Sequence, residues 1–145
     1  MIKFLSISLL LGSLILAGCQ KHTEALESGV AGADETSAIG ALRAILLAER
    51  TYSLSNSGEF GTMQQLVDGG FLDSRFSSGR PAKDYIITLN VVAKEAGAPE
   101  GSFSCNADPD PTLQRMGRHF FINSTSTTIH ANNTQPATES DPSLQ

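Results

Sequence analysis

The pattern of apolar and polar positions divides the chain into an apolar N-terminal run, a polar segment, a helical middle and a strand-rich second half. A long helix is predicted from Thr36 or Ser37 to about Leu54, because apolar side chains recur there with the spacing of one helical face. The members of this stripe are Ile39, Leu42, Ile45, Leu46 and Tyr52. Leu47 lies off the stripe, so it is predicted to make a second contact or to be exposed.

A shorter helix and several strands are predicted to follow. Thr62 and Gln65 have the spacing of a capping box, and Gly69 with Gly70 is typical of a helix end. Four later runs have the composition of strands: residues 85–92, 101–107, 118–123 and 127–131. The order of elements predicts an α+β domain with one long N-terminal helix, a short second helix and a three- to four-stranded antiparallel sheet.

The N-terminal run has the anatomy of a secretory signal. Lys3 supplies a positive charge, an apolar stretch follows, and the small residues Ala17 and Gly18 precede Cys19. A transmembrane helix is the alternative interpretation, but a span needs about 20 apolar residues and this stretch is shorter. The polar residues 20–24 that come directly afterwards also favour a signal.

The sequence Leu16-Ala17-Gly18-Cys19 resembles the lipobox of bacterial lipoproteins. The resemblance implies that residues 1–18 are a signal peptide, that cleavage occurs between Gly18 and Cys19, and that the thiol of Cys19 carries a diacylglyceryl group. Several acyl chains together give stable membrane anchoring. Because Gln20 and not aspartate follows the cysteine, the resemblance implies the outer membrane, on its periplasmic or surface face, over the inner membrane.

Segments of low apolar content border the predicted domain on both sides. Residues 20–35 show no steady apolar period, so residues 19–36 are predicted to be a lipidated cysteine and a flexible tether. Residues 132–145 contain no aromatic side chain and are predicted to be a disordered tail. The folded domain is then expected to comprise residues 37–131.

The middle of the chain resembles the soluble half of bacterial type IV pilins and type II secretion pseudopilins. The motifs that carry the resemblance are Ala38-Ile39-Gly40-Ala41-Leu42-Arg43-Ala44-Ile45, Ala48-Glu49-Arg50-Thr51-Tyr52, Gly58-Glu59-Phe60-Gly61, Gly70-Phe71-Leu72-Asp73, Ser78-Gly79 with Tyr85 and Leu89, and Met116-Gly117-Arg118-His119-Phe120-Phe121. The resemblance covers residues 37–131 and implies a pilin-like head with pilus or secretion-system proteins as partners. The lipoprotein signal stands where pilins have their leader and filament-forming helix, which favours an accessory over a filament subunit.

Charge and motifs argue against several classes of function. The formal net charge is −5, and no cluster of Lys and Arg occurs, so nucleic-acid binding is not expected. No Gly-x-Ser-x-Gly motif or pair of catalytic carboxylates is evident, so no enzyme activity and no cofactor are predicted. The domain without its lipid is expected to be monomeric, because copies of like charge repel and the filament-forming helix is missing.

His119 and His130 are the first candidate metal ligands. A hairpin with residues 123–126 as its loop would place the two histidines opposite each other, with Cys105 on a neighbouring strand as a third ligand for zinc. The alternative is a pair of half-exposed histidines without a metal, since no HExxH or CxxC spacing is present.

Asp108 and Asp110 are the second candidate metal ligands, because two carboxylates could supply oxygens to calcium. Their alternation with prolines is also typical of a rigid turn. Cys105 alternates with Phe103 in a predicted strand, so its thiol is expected to be buried. It has no disulfide partner if Cys19 carries lipid.

Two functions are therefore compatible with the sequence. The leading hypothesis is a membrane-anchored lipoprotein with a pilin-like domain and a non-catalytic role in binding or assembly, as an accessory of a pilus or a type II secretion apparatus. The alternative is a periplasmic or surface lipoprotein that binds a ligand, with or without a metal.

Overall fold

A long helix packed on an antiparallel sheet organises the molecule, which confirms the predicted α+β class. The structure, a computed structural model, describes residues 17–113 and 117–144, with side chains described from residue 31 onward. The elements in this part of the chain are α1 (Ala17–Ser55), α2 (Met63–Asp68), β1 (Tyr85–Val92), β2 (Ser102–Pro109), β3 (His119–Asn123) and β4 (His130–Asn132), with 3-10 helices at Ser74–Ser78 and Pro111–Leu113.

The predicted signal peptide falls almost entirely outside this part. Residues 1–16 and the side chain of Cys19 lie outside the described residues, so neither the signal nor the lipid attachment is observed. Between Ala17 and Leu144, as far as the chain is described, no helix combines the length and hydrophobicity that crossing a bilayer requires.

Helix α1 begins well before the position that the sequence analysis predicted. It is continuous from Ala17, so the prediction of a flexible tether over residues 19–36 is wrong for this structure. Thr36 does not cap a helix; its hydroxyl donates to the carbonyl of Gly32, one turn earlier in the same helix, at 2.8 Å. The segment contains no proline and several good helix formers, so it continues the helix without needing an apolar face.

The core lies between α1 and one face of the sheet, here called the inner face. Leu42 and Ile45 are fully buried, as predicted, and pack in one cluster with Phe120 and Ile122 of β3. Leu47 is 70% exposed, so of its two predicted roles, a second contact or an exposed side chain, the structure shows the exposed one. Burial of these apolar side chains removes them from water and fixes the helix on the sheet.

The turn into α2 follows the predicted capping box. The Thr62 side chain accepts from the N–H of Gln65, and the Gln65 side chain accepts from the N–H of Thr62 at 2.9 Å. Gly70 follows the helix with φ of 74°, a left-handed conformation that glycine adopts without steric cost. This turn was predictable because every contact in it is local.

The strands form one antiparallel sheet in the order β1-β2-β3-β4. Cys105 of β2 lies opposite Leu89 of β1 and Ile122 of β3, so the inner face carries a continuous apolar row. Strand β2 extends two residues beyond its predicted end, to Pro109, and β4 has 3 residues. The face of the sheet that lies opposite α1 is here called the outer face, and it contacts the C-terminal segment.

The C-terminal segment is ordered, so the prediction of a disordered tail over residues 132–145 is wrong for residues 132–144. Residues 137–144, here called the strap, cross the outer face and pair with the free edge of β4. Ala131 N–H donates to the carbonyl of Pro142 at 2.9 Å, and Leu144 N–H donates to the carbonyl of Ile129 at 2.8 Å. Polar contacts more than apolar burial order this segment, so its polar composition did not indicate its structure.

Candidate functional site

The two candidate histidines do not face each other, because the β3–β4 hairpin has a different register from the predicted one. His119 lies opposite Asn132, and His130 lies opposite Phe121. The Asn123 side chain accepts from the hydroxyl of Thr125 at 3.0 Å and holds a turn that makes the loop longer than residues 123–126.

A contact from α1 supports this longer loop. Arg50 donates through Nη2 to the carbonyl of Ser124 at 2.5 Å, across 74 positions of the chain. Asn123 Oδ1 also accepts from the N–H of Ser126 at 3.1 Å. Because the Arg50 contact joins distant segments, strand spacing alone could not give the register.

Each histidine instead has its own partner on the outer face. His119 Nδ1 lies 2.7 Å from Asp108 Oδ1, with both side chains largely shielded from solvent. His130 Nδ1 lies 2.7 Å from the carbonyl oxygen of Asp141. Since a carbonyl can only accept, Nδ1 of His130 carries the proton. Its ring also meets the Phe121 ring edge-on, with centroids 6.5 Å apart.

Cys105 lies on the inner face, away from both histidines. Its side chain is fully buried, as predicted, and packs in the core cluster. Burial, aided by the nearby carboxylates of Glu49 and Asp108, raises the pKa of the Cys105 thiol well above its ordinary value. The proposed zinc trio of two histidines and Cys105 is therefore wrong, because the sheet separates the thiol from the imidazoles.

Asp108 and Asp110 bind different partners and do not converge on one site. Asp110 is almost fully buried, and its Oδ1 accepts from the N–H of Thr112 at 2.9 Å and from its hydroxyl at 2.7 Å. Its Oδ2 accepts from Arg80 at 2.5 Å. These hydrogen bonds, those from Thr112 first, lower the pKa of Asp110 to about 2. Asp110 thus stabilises the turn that the prolines indicated.

No metal centre is assembled from the candidate ligands. Within the described residues, no group of three or more His, Cys, Asp and Glu side chains is placed to hold a metal ion. Each candidate ligand has another partner. His119 and Asp108 contact each other, His130 contacts the strap, Asp110 contacts Thr112 and Arg80, and Cys105 packs in the core.

Sequence reasoning missed Glu49, the most unusual ionisable group in the described core. Its side chain is fully buried in α1, seven positions after Leu42 and four after Ile45. That spacing was the available signal, since it puts an acid on the buried stripe. Oε2 accepts from the N–H of Gly61 at 2.8 Å, and Oε1 has no hydrogen-bond partner among the described atoms.

Burial raises the pKa of the Glu49 carboxyl to about 7, although the hydrogen bond from Gly61 opposes the rise. The loop that Glu49 holds connects α1 to α2 along the chain, and it also contacts the β1–β2 hairpin. Gly101 N–H donates to the carbonyl of Gly58 at 2.9 Å, and Lys94 N–H donates to the Glu59 carboxylate at 3.0 Å. Glu49 therefore holds a loop that in turn contacts the hairpin.

A second polar contact fastens the middle of α1 to the sheet. Glu35 accepts from Arg118 through the backbone N–H at 3.0 Å, Nε at 3.1 Å and Nη2 at 2.8 Å. Tyr85 donates its hydroxyl proton to the carbonyl of Arg118 at 2.8 Å. Burial by itself raises the pKa of Glu35, but the bonds and charge of Arg118 outweigh it and lower that pKa.

The strap is held on the outer face by one side chain from each of three strands. Asn106 of β2 donates to the carbonyl of Ala137 at 2.9 Å, and Asn123 of β3 donates to the Glu139 carboxylate at 2.8 Å. His130 of β4 donates to the carbonyl of Asp141, as described. Alternate strap residues thus cross successive strands, which sequence periodicity alone does not reveal.

A groove of about 570 Å³ opens beside the strap at the edge of the sheet. It is lined by Arg118, by Ala131 and Asn132 of β4, and by strap residues that include Asp141 and Leu144. Its volume is within the range of ligand-binding clefts. Arg118 and Asp141 are already paired, with Glu35 and with Asn132, so the groove offers backbone and apolar surface more than free charge.

Comparison of the chain with models of protein families, with curated proteins and with solved structures found no match.

Proposed function

We propose that this chain is a membrane-anchored bacterial lipoprotein with a pilin-like α+β head, and that it works by binding or assembly and not by catalysis. We infer an accessory role in a pilus or a type II secretion apparatus, with attachment to the outer membrane. The observation that carries the proposal is the sequence Leu16-Ala17-Gly18-Cys19, whose cysteine belongs to the helix that the structure describes from Ala17 onward. A lipid on this cysteine would attach the helix directly to the membrane.

The helical segment after Cys19 supports a defined distance between membrane and head. Helix α1 is continuous from Ala17 to Ser55, and Ala38 is the first fully buried apolar residue among those whose side chains are described, from residue 31 onward. The 19 positions from Cys19 to Ala38 correspond to about 28 Å at about 1.5 Å per residue. A helical stalk would hold the head at a more constant height than the flexible tether expected from composition.

The fastening of α1 to the sheet supports a head that moves with its stalk. Glu35 and Arg118 join the helix to the start of β3, and Leu42 and Ile45 continue the contact in the core. A force on the helix at the membrane, or a change in the helix's orientation there, would be transmitted through these contacts to the sheet. Such a rigid connection suits an assembly component, whose surfaces must be presented in one orientation.

The polar side chains of the outer face support binding more than chemistry. His119 pairs with Asp108, and His130 and Asn123 hold the strap. A catalytic base or nucleophile needs a free position for substrate beside it. In the described residues these candidate groups are occupied by structural contacts.

The proposal can be tested in the native host with full-length variants. Cys19→Ser should remain an uncleaved precursor, take up no radiolabelled palmitate and fail to complement a deletion strain in pilus assembly or secretion. Cys105→Ala is the matched control, because it removes the other thiol of the chain. It should keep the label and complement the deletion.

Two results would contradict the proposal in different parts. Palmitate on the Cys19→Ser protein would contradict lipidation at Cys19. A deletion strain with unchanged pilus assembly and secretion would contradict the accessory role. Stoichiometric zinc or calcium in the purified protein would favour the alternative of a ligand-binding lipoprotein.

A further inference from the structure

The strap ends as an added strand on the edge of β4. His130 forms an antiparallel bridge with Ser143, and the two flanking hydrogen bonds join Ala131 to Pro142 and Leu144 to Ile129. The backbone groups of a sheet edge are a template for any extended segment that can replace the one already there. This edge is therefore a possible site of strand exchange.

The strap is held with little apolar burial. Ala137 is buried and Leu144 packs partly against the core, while the rest of the described strap is exposed or half-buried. Asp141 is the centre of its polar contacts: Oδ1 accepts from Asn132 at 2.7 Å, and Oδ2 accepts from the N–H of Thr138 at 2.7 Å. Segments with few apolar contacts open at a lower free energy than the core does.

The connection to the strap allows it to leave without disturbing the sheet. Residues 133–136 are exposed, and they follow the last residue of β4, Asn132. The inner-face side chains of β3, Phe120 and Ile122, belong to the core with α1, and Leu144 is the strap residue that packs against this core. Opening of the strap would uncover the β4 edge while the core stays packed.

We propose that the strap is displaceable and that the β4 edge beneath it docks an extended polypeptide segment of a partner, which adds to the sheet in the place of residues 142–144. The inference goes beyond the proposed function, since it depends on the strap contacts and not on the lipid or on any apparatus. The binding surface is then the β4 edge of the head, and the ligand is a strand that pairs with this edge through backbone hydrogen bonds.

The strap itself indicates the chemistry of the partner segment. Leu144 contributes an apolar side chain on the inner side of the edge, and Asp141, three positions earlier, accepts from Asn132. The partner is therefore an extended segment with an acceptor side chain followed three positions later by an apolar one. Leu144 lines the groove beside Arg118, so the apolar side chain of the partner would lie there.

The first experiment measures amide hydrogen exchange in the full chain. The amides of Ala131 and Leu144 should exchange at least about tenfold faster than the slowest amides of β2. Asp141→Ala should accelerate both further and leave the β2 amides unchanged. Equal protection of the strap and β2, or loss of β2 protection in the variant, would overturn the proposal, because the strap would then open only with the whole domain.

The second experiment measures binding of a labelled peptide with the sequence of residues 138–144 to full-length variants. Asp141→Ala should bind it about tenfold or more tightly than Ser140→Ala, the control, because its own strap competes less. Ser140 donates through its backbone N–H, which the control keeps. The same peptide N-methylated at leucine should bind about tenfold or more weakly, since it cannot donate to Ile129.

Three outcomes of this experiment would overturn the proposal. Equal affinity of the two variants would show that the strap does not cover the site. Equal affinity of the N-methylated peptide would exclude strand addition. A concentration-dependent dimer of Asp141→Ala would assign the edge to a second copy of the chain. Each outcome leaves the palmitate test of the proposed function unaffected.

Discussion

The buried carboxyl of Glu49 accepts a hydrogen bond from the backbone N–H of Gly61, with 2.8 Å between Oε2 and N. This bond joins the last turns of α1 to the loop before α2. The second oxygen of the same carboxyl has no hydrogen-bond partner among the described atoms. A buried acid in this position favours its neutral form, so the packing of helix and loop depends on pH.

Glu49 should make the stability of the protein fall as pH rises from about 4.5 to about 7. Its pKa is raised from 4.5 to about 7 by burial, so the folded state keeps a proton that the unfolded state releases in that interval. The contribution is fully present below pH 4.5 and lost above pH 7, and it amounts to about 3 kcal/mol. Urea unfolding of the wild type and Glu49→Gln across this interval measures the difference.

Glu100→Gln is the control for this measurement, because it removes an exposed carboxylate from a loop. Its pH profile should run parallel to that of the wild type, whereas the Glu49→Gln profile should be flatter. Parallel profiles for all three proteins would mean that Glu49 ionises normally in the folded state.

The Glu35–Arg118 pair should stabilise the fold by about 1 kcal/mol of coupling, a modest value because Arg118 is 41% exposed and solvent screens the pair. The pKa of Glu35 is lowered, so this contribution is present above its ordinary value of 4.5 and lost as pH falls below it. A double-mutant cycle with Glu35→Gln and Arg118→Gln at pH 7 and pH 3 tests both statements.

The control for that cycle is Asp73 with Arg75, a bidentate but highly exposed pair in a loop. It should show no measurable coupling at either pH. Coupling as large as that of Glu35 and Arg118 would mean that burial does not distinguish the two pairs.

Leu42→Ala should lower the free energy of unfolding by about 2–5 kcal/mol, because it leaves a cavity in the core between α1 and β3. Leu47→Ala, which changes an exposed side chain on the same helix, should stay within about 0.5 kcal/mol. Denaturant midpoints give both values. The reverse order would show that α1 packs through another face.

A protein of residues 20–145, which lacks the predicted signal peptide and the proposed lipidated cysteine, should be monomeric at micromolar concentration with or without reductant. Cys105 is fully buried, so it should form no intermolecular disulfide and should react with a thiol reagent only after unfolding. Sedimentation and a thiol titration test this prediction together. A polymer that resists reductant, or rapid labelling of the folded protein, would refute it.

Sequence patterns predicted the elements whose signals are local and failed where distant contacts decide. The Thr62–Gln65 capping box and the strand of residues 85–92 follow from neighbouring residues, and both are present. The β3–β4 loop, in contrast, also contacts Arg50, which reaches the carbonyl of Ser124 from another element. No pattern within residues 118–131 contains that information.

The same distinction applies to the candidate site and the termini. The burial of Cys105 could be predicted from strand alternation. The position of the two histidines and Asp108 on the outer face could be assigned only once the register of the strands was known. The strap is ordered by Asn106 and Asn123, which no count of apolar residues takes into account. Glu49 is a partial exception, because its place on the buried stripe was visible in the spacing.

The most direct test of the lipoprotein assignment is the mass of the N-terminal peptide of the mature protein purified from membranes of the native host. A peptide that begins at Cys19 and carries a diacylglyceryl group with its acyl chains is the predicted result. A peptide that begins at Met1, or one that begins at any position with an unmodified Cys19, would contradict the assignment.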